Sequence, residues 1–219
     1  LYLTFFLICF QGFIGWYMVS SGLVDRVDVS HYRLATHLII AFIILSLILW
    51  NYFEVKELSL PNNKINFYLP VIFLFLIFCQ IIIGAFVSGM DAGTIYNTWP
   101  LMGSSFFPDD SKIMELFSIN SFNEPSLVQF IHRNLAYFIM LFYTSLLFNI
   151  YKNKFFELYN AIKIVGLVLL IQIILGIFTV IYGAQIYIAS MHQISSIFLV
   201  SSNIYLIYLN SKTNLQPSS

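Results

Sequence analysis

Six long apolar segments dominate this chain and limit the folds that it can adopt. Each is about 20 residues long, the length that an α-helix needs to cross the hydrocarbon core of a bilayer. They lie at about 1–20, 34–52, 67–88, 127–150, 161–182 and 187–208. The chain is 59% hydrophobic and only 9% charged, which is far from the balance of a soluble domain. The sequence therefore predicts an all-α, polytopic membrane bundle with six transmembrane helices.

The charged residues are divided between two sets of connections. The connections after the first, third and fifth segments hold most of the acidic residues, namely Asp25, Asp28, Asp91, Asp109, Asp110, Glu115 and Glu124. The opposite side holds Lys56, Lys64, Lys152, Lys154, Lys163 and Lys212. The positive-inside rule predicts that the lysine side, with both termini of this chain, faces the cytoplasm or matrix. We expect a multi-pass protein of a bacterial cell membrane or mitochondrial inner membrane.

Several functions receive no support from the composition. The net charge is zero and there is no basic cluster, so the chain has no feature of a nucleic-acid-binding protein. Cys9 and Cys79 both lie in apolar segments, where free cysteine is usually an inert small hydrophobe. The chain opens at Leu1 within an apolar segment and has no signal-peptide features, so we interpret it as a fragment of a longer chain.

An internal repeat links the segments in pairs. Segments 1, 3 and 5 each contain the pattern Gln-x3-Gly, at Gln11 and Gly15, Gln80 and Gly84, and Gln172 and Gly176. Segments 2, 4 and 6 each carry a histidine four to six residues past the predicted entrance of the helix, at His37, His132 and His192. The glycines are interpreted as sites of close helix approach and the glutamines as interhelical hydrogen-bond partners. The repetition predicts duplicated halves related by a pseudo-twofold axis.

Three of the four histidines are candidate metal ligands. His31 is interpreted as a solvated side chain of a polar loop. Polar and ionisable groups inside a membrane are costly, so His37, His132 and His192 are interpreted as functional. Zinc or copper would call for Cys, Asp or Glu at helical spacing from these histidines, which is not found. Haem iron fits better, because its axial ligands come from single residues on separate helices.

The histidines are not all paired within the chain. His132 and His192 form the natural pair, since both belong to the second half, and this leaves His37 without a partner. If the halves are duplicated, the partner of His37 is expected upstream of Leu1, in an eight-helix protein. Arg133 has two interpretations: a partner of a haem propionate, or an arginine that reaches for the interface.

Several motifs resemble those of the haem A synthase family, in its mitochondrial and alphaproteobacterial branch. They are MVSSGLVDR at 18–26, YRLATHL at 32–38, QIIIGAFVSGMDAGTIYNTWPLM at 80–102, VQFIHRNLAY at 128–137 and MHQ at 191–193. The resemblance implies an eight-helix enzyme of two four-helix halves. It also implies that the enzyme oxidises a methyl group of haem O to the formyl group of haem A, for cytochrome oxidase assembly.

The resemblance assigns roles to the histidines. It implies that residues 67–219 form the C-terminal half and hold a haem b cofactor between His132 and His192. It implies that residues 1–66 are the remainder of the N-terminal half, in which His37 ligates the substrate haem. The second ligand there belongs to a Glu-x-x-His-Arg motif on a helix that this chain does not contain.

The chain departs from the family pattern in its long loop, at about 89–126. Where the family usually reads Pro-Leu-Met-Asp-Gly, the chain has Gly103 and Ser104 after Met102, and a common Phe-Glu-Asn appears as Phe-Asn-Glu at 122–124. The loop has no cysteine pair, so no thiol relay is expected there. A loop of this length is either functional or a loose linker.

Two other functions remain open from the sequence. A membrane di-haem b electron carrier would use the same histidines without modifying haem, and a transporter or structural bundle would use them for proton relay or packing. For the enzyme, the expected partners are haem O, the lipid bilayer and an electron donor, with a ferredoxin-like protein as a candidate. A haem O synthase and a second copy of the chain are further candidate partners.

Overall fold

The structure is a bundle of six long α-helices, as the sequence predicts. The computed structural model describes residues 1–22, 29–56 and 64–211. The helices are α1 (Tyr2–Gly22), α2 (His31–Lys56), α3 (Tyr68–Gly89), α4 (Pro125–Lys152), α5 (Tyr159–Ile181) and α6 (Ile186–Ser211). All six are long and apolar enough to cross a membrane. Asp25, Asp28 and Lys212, which entered the charge argument, lie outside the described residues.

Local sequence features explain where the helices begin and end. Pro125 occupies the first turn of α4, where its missing N–H group is not needed and its fixed φ suits a helix. The connection from α5 to α6 is a tight turn in which Gly183 adopts a φ of 63°. This turn lets the N–H group of Ala184 donate to the carbonyl of Thr179 at 2.7 Å, which satisfies one of the last carbonyls of α5.

The core lies among α3, α4, α5 and α6, with α2 packed against α3 and α6. Fully buried apolar side chains come from four helices, including Phe73, Ile150, Ile162 and Val200. Two buried asparagines of α6 bond backbone groups instead of water: Asn203 donates to the carbonyl of Pro70, and Asn210 exchanges two hydrogen bonds with the backbone of Ile65. In contrast, α1 packs mainly on α2 and exposes most of its side chains.

The long loop between α3 and α4 is folded. It contains three short 3₁₀ helices, Ala92–Thr94, Glu115–Phe117 and Ile119–Asn123. Aromatic contacts join it to α4, such as Phe107 to Phe130 at 5.0 Å between ring centroids. The interpretation of this loop as a loose linker is therefore wrong. The end of the bundle that carries this loop is called the loop side below.

Candidate functional site

Each of the three candidate histidines lies in the same cradle, formed with a glutamine and a glycine of the preceding helix. Gln11 of α1 approaches His37 of α2, with 3.3 Å between its amide nitrogen and Nε2. The matching distance is 3.2 Å from Gln80 of α3 to His132 of α4. It is 3.5 Å from Gln172 of α5 to His192 of α6. The repeat read from the sequence is therefore a repeat of three-dimensional contacts.

The glycine of each cradle makes room for the imidazole. A Cβ atom added to Gly15, Gly84 or Gly176 would lie 3.1, 3.1 or 3.0 Å from Cε1 of the facing histidine. Such contacts are tighter than almost all real Cβ contacts, so alanine there would push the ring away. Gly12, in contrast, has open space around it. The predicted role of the glycines in close approach is confirmed, and the approaching group is the histidine ring itself.

The glutamines are interhelical hydrogen-bond partners, as predicted. The amide nitrogen of Gln11 donates to the backbone carbonyl of His37 at 2.9 Å, and that of Gln80 donates to the carbonyl of His132 at 3.0 Å. The same amide nitrogen lies beside the Nε2 atom of each histidine. A histidine nitrogen binds a metal ion only through an unprotonated lone pair, so a metal ion at Nε2 would replace this amide contact.

In the third cradle, a contact to Nδ1 fixes the tautomer of the histidine. Nδ1 of His192 lies 3.0 Å from the backbone carbonyl of Gln172. A carbonyl can only accept, so Nδ1 donates and Nε2 is left with its lone pair. This is the arrangement in which metal-binding histidines are usually held. Ser195 adds support by donating to the side-chain oxygen of Gln172.

The three histidines also lie at equivalent positions along their helices. His37 is the seventh residue of α2, His132 the eighth of α4 and His192 the seventh of α6. At 1.5 Å per residue, all three lie roughly 10 Å from the loop-side ends of their helices. The common depth predicted from the sequence is confirmed.

His132 and His192 face each other in the C-terminal half. Their ring centroids are 6.5 Å apart, with 79° between the ring planes. Two imidazoles on opposite sides of one metal ion, each bonded at about 2 Å, place their centroids about 6 Å apart. The pair therefore fits axial ligation of one haem iron.

His37 has the cradle but no facing histidine. Its ring makes no contact with another histidine ring among the described residues, and its Nδ1 atom is buried without a partner. No group of three or more His, Cys, Asp and Glu residues in the described part of the chain could hold a metal ion.

The guanidinium of Arg133 bonds to the long loop. It donates to the carbonyls of Tyr96, Thr98 and Leu101 at 2.7, 2.8 and 3.3 Å. The side chain is 8% exposed, so the interpretation as an arginine that reaches for the interface is wrong. Its Nε atom is buried without a partner. Contact of Arg133 with a haem propionate stays a prediction. The terminal nitrogens of its guanidinium have a structural role, because they bind the loop.

Residues 96–101, called the strap below, are held by one face of α4. Gln129, one turn before Arg133, also donates to the carbonyl of Tyr96, at 3.1 Å. One turn after Arg133, the hydroxyl of Tyr137 accepts from the indole N–H of Trp99 at 3.1 Å. Asn97 donates to the carbonyl of Val180 near the end of α5. The strap therefore joins the loop-side ends of α4 and α5, beside the residue that follows His132 in sequence.

The carboxylate of Asp109 orders the turn that follows the strap. Asp109 accepts from the hydroxyls of Ser104 and Ser105 at 3.0 and 2.7 Å, and these bonds hold the pKa of its carboxyl below the usual range. A Cβ atom at Gly103 would lie 3.2 Å from Oδ2 of Asp109. The carboxylate of Asp109 thus occupies the space beside the position where the family motif has an acid. Burial, with the nearby Asp110, raises the pKa of the Tyr96 phenol.

His31 differs from its predicted environment. It is the first residue of α2 and is half-buried, with its ring 5.0 Å from that of Phe86 in an edge-on contact. Gly89 of α3 lies so close that a Cβ there would be 2.9 Å from the Cα of His31. The interpretation as a solvated loop residue is wrong, because the crossing of α2 and α3 at Gly89 encloses it.

Comparison with known proteins gives the family. A family model described as cytochrome oxidase assembly protein, COX15-CtaA, matches residues 1–204. The chain belongs to the COX15-CtaA family. Relatives named haem A synthase are similar to it: those of Pelagibacter ubique (strain HTCC1062), Rickettsia bellii (strain RML369-C) and Rickettsia prowazekii (strain Madrid E) are 46%, 42% and 40% identical over 210, 200 and 207 residues.

The matched regions cover most of this COX15-CtaA chain but only part of each relative. They include 96%, 89% and 93% of the chain and 62%, 59% and 61% of the respective relatives. The chain therefore spans about three fifths of the length of these relatives. No solved structure matches it.

Sequence reasoning missed the strap contacts. The sequence does show that one face of α4 carries three polar side chains, because Gln129, Arg133 and Tyr137 are spaced four residues apart. That they face the strap, rather than lipid or a cofactor, depends on the path of the loop, which spacing alone does not give.

Proposed function

We propose that this chain is part of a haem A synthase, an oxidoreductase that converts a ring methyl group of haem O to the formyl group of haem A for cytochrome oxidase. One observation carries the proposal: two facing histidines, 6.5 Å apart, lie within membrane-spanning helices of a COX15-CtaA chain. The name haem A synthase, which belongs to the similar relatives, supports it. The activity of the whole protein is proposed here because the chain spans only part of those relatives.

In this proposal, His132 and His192 are the axial ligands of haem b. Gln80 donates to the backbone carbonyl of His132, and the backbone carbonyl of Gln172 accepts from Nδ1 of His192, while Gly84 and Gly176 let each ring lie against the neighbouring helix. The side chains themselves cannot carry out a methyl oxidation, so a bound haem b would supply the one-electron redox chemistry. The strap lies at the loop-side ends of α4 and α5, which carry residues of this site.

His37 is proposed to bind the iron of the substrate haem. Its cradle repeats the cradle of His132 closely, including the bond from the glutamine to the histidine carbonyl. Residues 1–66 would belong to the substrate half and residues 67–219 to the haem b half, with 23–28, 57–63 and 212–219 outside the described structure. The second ligand of the substrate haem is expected in the part of the relatives that this chain does not span.

The remaining assignments follow from the same proposal. Arg133 retains a free Nε–H group that could bond a haem propionate. The acidic loop side is proposed to face away from the cytoplasm or matrix. A ferredoxin-like electron donor, a haem O synthase and a second copy of the chain are candidate partners, each requiring its own binding measurement.

The proposal is tested by identifying the haems that can be extracted from the protein. The natural full-length protein is produced together with a haem O synthase and an electron donor, and extracted haems are separated by chromatography and weighed by mass spectrometry. Formyl haem is expected from wild type and from the control Thr36→Ala, and not from His37→Ala. Thr36 is a fair control because it is exposed and its hydroxyl bonds only within its own helix. Unmodified haem alone from active wild-type preparations would favour the electron carrier instead.

A further inference from the structure

Four large apolar side chains near the end of the long loop are exposed. They are Ile113, Met114, Phe117 and Ile119, with exposed fractions of 64%, 76%, 81% and 83%. Isolated exposed apolar residues are common on soluble surfaces, but a cluster of this size within seven residues marks an interaction surface. Residues 113–122, which contain the cluster, are called the interfacial segment below.

The backbone of the interfacial segment satisfies several of its own hydrogen bonds. The N–H groups of Glu115, Phe117, Ser118 and Ser121 all donate to carbonyls three residues earlier. The N–H group of Asn120 donates to the hydroxyl of Ser118. This matters because unsatisfied peptide groups are costly in the hydrocarbon region of a membrane. A segment folded in this way can lie against lipid at much lower cost than an open loop.

An apolar cleft of about 560 Å³ separates the interfacial segment from α4. Its two walls are represented by Leu116, Phe117 and Ile119 on the segment and by Ile131, Leu135 and Phe138 on α4. Leu135 is the eleventh residue of α4, about 15 Å along the helix from Pro125. The whole helix is about 42 Å long, so its residues 131–138 fall within the loop-side half of a hydrocarbon core about 30 Å thick.

The cleft is continuous with an exposed apolar face of α4. Phe138 lines the cleft and is 51% exposed, and Leu141, almost one turn further along α4, is 67% exposed. Both belong to a membrane-spanning helix. Because Phe138 belongs both to this face and to the cleft, hydrocarbon in contact with α4 can extend into the cleft.

We propose that the interfacial segment lies in the membrane interface on the loop side and that the cleft behind it holds an acyl chain of a phospholipid. The exposed apolar side chains of the segment enter the same leaflet. The segment thereby fixes the long loop against the membrane from one end, while the strap fixes it against α4 from the other. This proposal does not depend on the reaction proposed above.

The depth of the segment is measured with nitroxide labels in phospholipid nanodiscs. The full-length protein first has Cys9 and Cys79 replaced by alanine, and then carries a single label at Phe117→Cys or, as a control, Ser104→Cys, an exposed site elsewhere in the same loop. We expect the label at 117 to collide more often with oxygen than with a water-soluble nickel complex, and the label at 104 to show the reverse. Equal, water-like behaviour at both sites would overturn the proposal.

Occupancy of the cleft is measured on the unmodified protein. Phospholipids with a photoreactive diazirine near the end of one acyl chain are activated by light, and the labelled residues are mapped by mass spectrometry. We expect labels on residues 116–122 as well as on Leu135 and Phe138. Labels confined to exposed faces of the helices would contradict the proposal. Labelling of 116–122 that disappears when haem O is added would assign the cleft to the substrate and also overturn it.

Discussion

The side-chain amide of Gln80 bonds the backbone carbonyl of His132 and lies 3.2 Å from Nε2 of the same residue. One glutamine thus contacts both the backbone and the ring of the histidine. Gln11 repeats the relationship with His37 almost atom for atom. The proposed ligand of the cofactor and the proposed ligand of the substrate are therefore held by the same device.

Replacing Gly84 with alanine is expected to displace the ring of His132. The added Cβ would lie 3.1 Å from Cε1, and overpacking of this kind costs about 1–3 kcal/mol. We expect haem binding in the C-terminal half to weaken by roughly five- to 150-fold, measured by titrating haem into the apoprotein. Gly12→Ala adds the same methyl group to a helix where nothing lies within 4 Å. Equal haem affinity in the two variants would show that the cradle does not position the histidine.

Replacing Gln80 with leucine is expected to leave the ring of His132 freer, because the amide contacts to Nε2 and to the backbone carbonyl are lost. Interhelical hydrogen bonds in membrane proteins average about 0.6 kcal/mol and reach about 1.7 kcal/mol, so only a modest loss of stability is expected. The specific effect is expected in the absorption spectrum of the haem, which should shift in Gln80→Leu. Gln193 is exposed and lies next to His192, and Gln193→Ala should leave the spectrum unaltered. An unshifted spectrum for Gln80→Leu would contradict the assigned role.

Replacing Arg133 with glutamine is expected to release the strap. The variant loses most of the bonds to the carbonyls of Tyr96, Thr98 and Leu101. Hydrogen exchange of residues 96–101, followed by mass spectrometry, should become at least several-fold faster. Arg33→Gln is the matched control, because Arg33 lies over the ring of Tyr17 and not at the strap. Unchanged exchange in Arg133→Gln would mean that other contacts alone fix the strap.

The turn around Asp109 is expected to open in acid. The pKa of its carboxyl is lower in the folded loop than the ordinary value of 3.8, chiefly because Ser105 and Ser104 donate to it. A lowered pKa means that the ionised form stabilises the loop above the ordinary value, and that this stabilisation is lost as the pH falls through the lower folded value. Exchange of the Ser104 and Ser105 region should therefore accelerate below about pH 4. Asp109→Asn should remove this pH dependence, and an acid transition that persists in the variant would belong to another group.

Much of the fold could be predicted because hydrophobic length is a strong signal in membrane proteins. The six predicted segments match the six helices, and the ends differ by a few residues because polar residues such as His31 join the first turn. The depth of the histidines and the pairing of glutamine with histidine could also be predicted, since both follow from a repeat that is visible in the sequence.

The contacts of Arg133 and the environment of His31 could not be predicted from the sequence in the same way. Arg133 bonds backbone carbonyls of a loop. Every residue has such a carbonyl, so the amino-acid types at positions 96, 98 and 101 do not indicate that Arg133 binds there. His31 is enclosed because Gly89 allows α2 and α3 to cross closely, which depends on the orientation of both helices. Spacing along one helix predicts which residues share a face, but not which distant segment that face meets.

The measurement that tests the central claim most directly is carbon monoxide binding by the reduced haem of the purified full-length protein, followed by absorbance. If His132 and His192 occupy both axial positions of one haem, wild type should not bind carbon monoxide at that haem, whereas His132→Ala and His192→Ala should each bind it or lose the haem. Gln193→Ala should behave as wild type. Retention of the wild-type haem spectrum in both alanine variants, with no binding of carbon monoxide, would contradict ligation by these two histidines.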